Sequence, residues 1–164
     1  MNKTSKAIFF DRDGIINKER SDYVKNVNEL EIFPYAIHAI KSLKDNGFLI
    51  IVVTNQSAIN RGLMNKHDLQ KIHNEIQNVL HKNGTSINAF YFCPHKPDEN
   101  CLCRKPKTGL LENAIHDFKI DVSQSWLIGN NDSDIEAATK VGCKSIKISD
   151  ESELISSISK ILDG

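Results

Sequence analysis

The chain has 164 residues, and its 21 Lys and Arg balance its 21 Asp and Glu, so the formal net charge at pH 7 is zero. That balance gives no support to binding nucleic acid or a membrane surface through bulk charge. No apolar run approaches the roughly 18 residues that cross a bilayer. One domain over residues 1–164 is expected at this length. The run Met1-Asn2-Lys3-Thr4-Ser5-Lys6 enters the first strand without the apolar core and cleavage site of a signal peptide, so a cytoplasmic location is the expectation.

Ala7-Ile8-Phe9-Phe10 is apolar, β-prone and too short for a helix, so a buried strand is predicted there. It ends in Asp11-Arg12-Asp13-Gly14. Parallel sheets gather ligands at the carboxyl ends of their strands. Two acids this close are costly unless a cation or a shared proton relieves their repulsion. The tetrapeptide therefore points to a divalent metal, an acid/base pair or both, with a solvated turn as the bland alternative. A polar loop from Asn17 to Glu31 follows. A helix is predicted from about Tyr35, with Ala36, Ile37, Ile40 and Leu43 on one face and Asn46-Gly47 closing it.

Residues 48–53 form the strongest strand, and their unbroken hydrophobicity predicts burial on both faces of a parallel sheet. Thr54-Asn55-Gln56-Ser57 comes next. Its hydroxyls and backbone N–H groups suit a phosphate oxygen, or Thr54 or Ser57 caps a helix. After a loop to Asn65, a long amphipathic helix carries Leu69, Ile72, Ile76, Val79 and Leu80 and ends at Asn83-Gly84.

A third strand over 89–92 runs into Cys93-Pro94-His95 and then Cys101-Leu102-Cys103. Three thiolates and one imidazole fill a tetrahedral zinc shell, so this metal is assigned to bracing the loop and not to catalysis. Arg104-Lys105-Pro106-Lys107 follows directly, and a braced loop would hold these cations near the strand ends. A helix over 110–118 and a strand over 125–128 lead to Gly129-Asn130-Asn131-Asp132-Ser133-Asp134. Here Asn130 and Asp134 are candidates to hold or support a metal, and Asn131 or Asp132 to cap a helix over 135–141. Cys143 is a small core residue. A strand over 145–148 and a helix over 151–162 complete an alternation that predicts an α/β, doubly wound, Rossmann-like parallel sheet.

Taken together these clusters resemble the haloacid dehalogenase (HAD) superfamily of phosphohydrolases. Asp11-Arg-Asp-Gly-Ile-Ile-Asn17, Thr54-Asn-Gln-Ser57, Arg61-Gly62, Cys93-Pro-His95 and Cys101-Leu-Cys-Arg-Lys-Pro106 are similar to those of its small, capless branch. That branch contains heptose 1,7-bisphosphate phosphatases and histidinol-phosphate phosphatases. The resemblance implies a HAD-like single domain with a zinc-binding loop (Cys93, His95, Cys101, Cys103) and a magnesium-dependent phosphatase activity. It implies Asp11 as nucleophile and Asp13 as general acid and base, with Thr54 and Lys105 holding the phosphoryl oxygens. Magnesium would bind the Asp11 carboxylate, the Asp13 carbonyl and Asn130, with Asp134 in support.

Asn130 stands where the family usually has Asp, so weaker magnesium affinity is expected. Arg12, Glu19, Arg20, Tyr23, Asn55, Gln56, Ser57, Arg61, Arg104 and Asn131 are the expected substrate contacts, Arg61 facing a second phosphate. A bisphosphorylated heptose is thereby favoured over histidinol phosphate. The implied partner is a small sugar phosphate, in a monomer serving nucleotide-heptose and lipopolysaccharide or other surface-glycan synthesis. An inactive sugar-phosphate-binding relative is the remaining alternative.

Overall fold

The computed structural model describes residues 3–164; Met1 and Asn2, read above as part of the lead into the first strand, lie outside the described residues. Five segments, apolar except for the edge strand β5, pair as parallel strands: β1 (Ala7–Phe10), β2 (Leu49–Asn55), β3 (Ala89–Cys93), β4 (Trp126–Gly129) and β5 (Lys144–Lys147). Their order is β3-β2-β1-β4-β5. The crossovers carry α1 (Pro34–Asp45), α2 (Lys66–Lys82), α3 (Gly109–Phe118) and α4 (Asp132–Val141), and α5 (Glu151–Asp163) follows β5.

Alternation along the strands divides the core between two faces. Ile8, Phe10, Ile50 and Val52 meet Ile40 and Leu43 of α1, Leu69, Ile72 and Ile76 of α2, and Leu154 of α5. Ala7, Phe9, Ile51 and Val53 meet Leu110, Leu111 and Ala114 of α3 and Ala137 and Ala138 of α4. Each fully buried large aliphatic side chain contributes about 1.5–3 kcal/mol of transfer free energy, which is why unbroken apolar strands settle at the sheet centre. This is the doubly wound sheet expected. The chain steps outward from β1 to β3, then returns to β4 on the other side of β1. A crevice therefore opens between β1 and β4 at their carboxyl ends.

Two boundaries move in ways that matter for the site. β2 runs past Val53, and Thr54 and Asn55 pair with Phe92 and Cys93, so both are fixed by the ladder and not free in a loop. α4 starts at Asp132, a turn earlier than Ile135. There the Asp134 carboxylate accepts the Asn131 backbone N–H at 3.2 Å, and two acids in the first turn suit the positive helix end. The loop from Asn17 to Glu31 is tied by ion pairs of Arg20 with Asp22 and Glu29 and of Lys25 with Glu29.

Candidate active site

Asp11 leaves β1 with its backbone N–H still bonded to Ile128 O of β4, at 3.1 Å. This places its carboxylate at the crevice, almost wholly buried. Oδ1 accepts the Arg12 backbone N–H at 2.9 Å and faces Lys105 Nζ at 3.2 Å. Burial pushes the Asp11 carboxyl up to about 7; Lys105 opposes the rise, and the negative charges of Asp134 and Asp13 add to it.

Asp13 meets the opposite balance. Its Oδ1 accepts Arg12 Nη2 and Asn17 Nδ2, both at 3.0 Å, and its Oδ2 accepts Gln56 Nε2 at 2.9 Å. Burial opposes its ionisation, but Arg12, Asn17 and Gln56 outweigh burial and hold the carboxyl below its usual value. Gly14 follows in the left-handed region at φ +85°, and a β-carbon there would strike the Asn130 amide. The turn thus brings the loops after β1 and β4 into contact.

Lys105 is buried between two acids, its Nζ 2.5 Å from Asp134 Oδ1 and 3.2 Å from Asp11 Oδ1. Burial disfavours its charge, yet the two carboxylates prevail and raise its pKa. The backbone of Lys105 is held from β2. Asn55 Oδ1 accepts its N–H at 3.1 Å, and Asn55 Nδ2 donates to its carbonyl at 3.2 Å. Asp134 in turn packs on Gly129, where a β-carbon would collide with its side chain.

Upstream of Lys105 the four ligand atoms of Cys93, His95, Cys101 and Cys103 lie within 4.8 Å of one another. Cys93 Sγ is 3.3 Å from His95 Nδ1 and 3.7 Å from Cys101 Sγ, and His95 Nδ1 is 3.2 Å from Cys103 Sγ. None of the cysteines is in a disulfide. The Cys93 and Cys103 sulfurs stand closer, at 2.9 Å, and three thiols and one imidazole converging on one point are the donor set of a tetrahedral zinc ion. The Arg104 N–H points at Cys101 Sγ at 3.3 Å, the kind of support a coordinating thiolate receives.

Asp11, Asp13, Glu19, Arg20, Tyr23, Asn55, Gln56, Ser57, Arg61, Arg104, Lys105, Asn131 and Asp134 all line one cavity of about 640 Å³. Arg61 bonds Ser57 Oγ through Nε at 3.2 Å, and Arg104 bonds the His95 carbonyl at 3.2 Å. Arg20 lines the cavity with its guanidinium already engaged by Asp22 and Glu29. Thr54 is wholly buried, its Oγ1 accepting Gln56 Nε2 at 2.8 Å, and it stands behind the lining. Asn130 lies beside the lining against Gly14, its Oδ1 accepting Asn131 Nδ2 at 2.9 Å.

One expected substrate contact lies outside the cavity lining. The Arg12 side chain is fully buried, pairs with Asp13 and His73, and takes no part in lining the cavity. Asn17 and His73 bear on the site beyond the residues expected from the sequence. Asn17 sits in the Asp11–Asn17 motif, and His73 stands among the apolar positions of α2; a polar residue on a buried helix face was the signal available. Ser21, between the expected contacts Glu19 and Tyr23, lines the cavity too, as do Val24 and Ser133.

Residues 6–151 match the model of the family described as polynucleotide kinase 3 phosphatase. A relative from Thermoplasma volcanium, named probable D-glycero-D-manno-heptose-1,7-bisphosphate 7-phosphatase, is 41% identical over 137 residues, 83% of this chain and 93% of that protein. D-glycero-beta-D-manno-heptose-1,7-bisphosphate 7-phosphatase of Neisseria meningitidis serogroup A is 38% identical over 139 residues, 85% of this chain and 74% of that one. The crystal structure of D,D-heptose 1.7-bisphosphate phosphatase from B. bronchiseptica, complexed with magnesium and phosphate, aligns with a TM-score of 0.82 at 32% identity, over 85% of this chain and 78% of that chain.

Proposed function

The chain belongs to the polynucleotide kinase 3 phosphatase family and is a HAD-type phosphatase, and from that premise we propose that it removes the 7-phosphate of D-glycero-D-manno-heptose 1,7-bisphosphate. The product would feed nucleotide-heptose synthesis for lipopolysaccharide or another surface glycan. The observation that carries the reading is the Asp11–Lys105–Asp134 cluster in a cavity that Arg61 and Arg104 also line. One end accepts a transferring phosphoryl group, and two further cations remain for a second phosphate.

In the first half-reaction an Asp11 carboxylate oxygen bonds to phosphorus as the phosphorus–sugar oxygen bond breaks, and Asp13 donates its proton to the leaving oxygen. In the second, Asp13 takes a proton from water, whose oxygen attacks phosphorus and releases Asp11 and inorganic phosphate. Lys105 stabilises the phosphoryl oxygens, and Thr54 acts from behind the lining through Gln56. An arriving phosphate would raise Asp13 by repulsion, towards the protonated form the first step uses.

Three hard oxygen donors, the Asp11 carboxylate, Asp13 carbonyl and Asn130 amide, suit magnesium, and the neighbouring negative charges of Asp134 and Asp13 repel the Asp11 carboxylate, a repulsion that a divalent cation would relieve. Bound there, magnesium supplies charge that favours the Asp11 carboxylate and offsets the phosphate. The cysteine and histidine cluster would hold structural zinc.

The test is phosphate release from heptose 1,7-bisphosphate, histidinol phosphate and a 3′-phosphorylated oligonucleotide, side by side with magnesium. The expected result is a clear preference in kcat/KM for the heptose bisphosphate. Preference for either other substrate would overturn the assignment.

A further inference from the structure

Arg12 is a fully buried guanidinium, and its Nε has no hydrogen-bond partner among the described residues. Burying a cation costs several kcal/mol unless partners compensate, and an orphaned N–H adds to that cost. A residue that served packing alone would carry neither. Arg12 reaches two side chains: Nη2 donates to Asp13 Oδ1 at 3.0 Å, and Nη1 lies 3.2 Å from His73 Nε2.

His73 belongs to the buried face of α2, beside Leu69, Ile72 and Ile76, and not to the cavity lining. Its ring is stacked on Phe90 of β3, with centroids 4.2 Å apart and planes 15° from parallel. The stack fixes the plane of the imidazole. A guanidinium has only donors, so the nitrogen facing it must accept, which requires a neutral ring protonated at Nδ1.

We propose that His73 is a positioning residue for the phosphatase reaction: its Nε2 anchors Arg12, and Arg12 fixes the orientation of the Asp13 carboxylate. This rests on the reading of Asp13 as the group that exchanges protons with the substrate. Asp13 Oδ1 is taken by Arg12 and Asn17, whereas Oδ2 holds a single bond from Gln56. The remaining capacity for a proton lies on Oδ2. Without the His73 anchor, the guanidinium can swing and the carboxylate can turn about its terminal torsion, which mixes the roles of the two oxygens. Proton transfer depends on placement at hydrogen-bond distance, so the loss should fall on kcat.

The experiment has two arms on the full chain. Nitrogen-15 spectra of the His73 imidazole at pH 7.5 should show a neutral ring with Nδ1 protonated and Nε2 bare. A ring protonated at Nε2 would overturn the proposal, whatever the substrate. In the second arm, kcat and KM for the bisphosphate are compared in native protein, His73→Leu and His73→Gln. The leucine variant should lose about ten- to a hundredfold in kcat with KM within about twofold, as a small misplacement of a reacting group does. Glutamine keeps an acceptor and should restore most of the loss. Native kcat in the leucine variant, or equal losses in both folded variants, would overturn the proposal. Should the leucine variant not fold, the imidazole spectrum decides. Failure of native protein to release phosphate would count against the proposed function instead, and the spectrum still tests the anchor.

Discussion

Asp11 and Asp13 are two residues apart and carry opposite electrostatic histories. Burial dominates at Asp11, whereas Arg12, Asn17 and Gln56 outweigh burial at Asp13. The pairing of acids was readable from Asp-x-Asp-Gly at the end of an apolar strand. The fate of Arg12 was not. Arg12 lies past the end of β1 in the bend that opens the loop, its carbonyl accepting the Ile15 and Ile16 N–H groups, so its direction is set by that turn and by the partners waiting inside, not by strand periodicity. Asn130 brings an uncharged oxygen where a carboxylate would bind magnesium more tightly. Asn130→Asp should therefore lower the magnesium concentration at half-maximal turnover, and calorimetric titration with magnesium should show the same gain in affinity.

His73 supplies a pH dependence of stability. Burial, reinforced by Arg12 and opposed by Asp13, depresses its pKa from 6.5 to about 3. The unfolded chain therefore binds this proton from about pH 6.5 downward, while the native chain refuses it until about pH 3. Stability from neutral His73 is complete above pH 6.5 and declines as pH falls towards 3. His73→Gln keeps an acceptor but does not titrate. Between pH 7 and pH 5 the native protein should lose on the order of 2 kcal/mol more than this variant in denaturant unfolding. Parallel pH dependences would refute the account.

The loop from Cys93 to Lys105 connects the cysteine and histidine cluster to the crevice. It leaves β3, turns through the four ligands and delivers Lys105 to the Asn55 clamp and the Asp11–Asp134 pair. Cysteine spacing announced the cluster, because three thiols and an imidazole this close suit one ion. The clamp had no such signature. Asn55 lines the cavity as expected, but its amide is committed to Lys105 backbone, a pairing fixed only once β2 and the loop meet. Cys101→Ser should reduce bound zinc, lower the melting temperature and reduce turnover together. Zinc content by elemental analysis, with melting and phosphate release measured on one sample, checks this; full zinc and full activity would rule out the four-ligand assignment.

Across the molecule, the crevice between β1 and β4 collects residues from four strand ends and the loop after β1. The engagement of Arg20 by Asp22 and Glu29 leaves Arg61 and Arg104 as the better candidates for a distal phosphate. Arg61→Ala should raise KM for a bisphosphate about ten- to a hundredfold, the equivalent of a lost charge-assisted hydrogen bond of about 1.5–3 kcal/mol. Its effect on a sugar monophosphate should be small. An equal rise for both substrates would remove Arg61 from the distal site.

Strand and helix order, the doubly wound sheet, the acid pair and the zinc donor set follow from local patterns: apolar runs, helical periodicity, and ligand types at short spacing. Those patterns act over a few residues and survive in one dimension. The inward turn of Arg12, its anchor on His73 and the Asn55 clamp required the assembled fold. Each depends on partners far apart in sequence that packing brings together, and the strength of such contacts is set by burial that no short segment possesses alone.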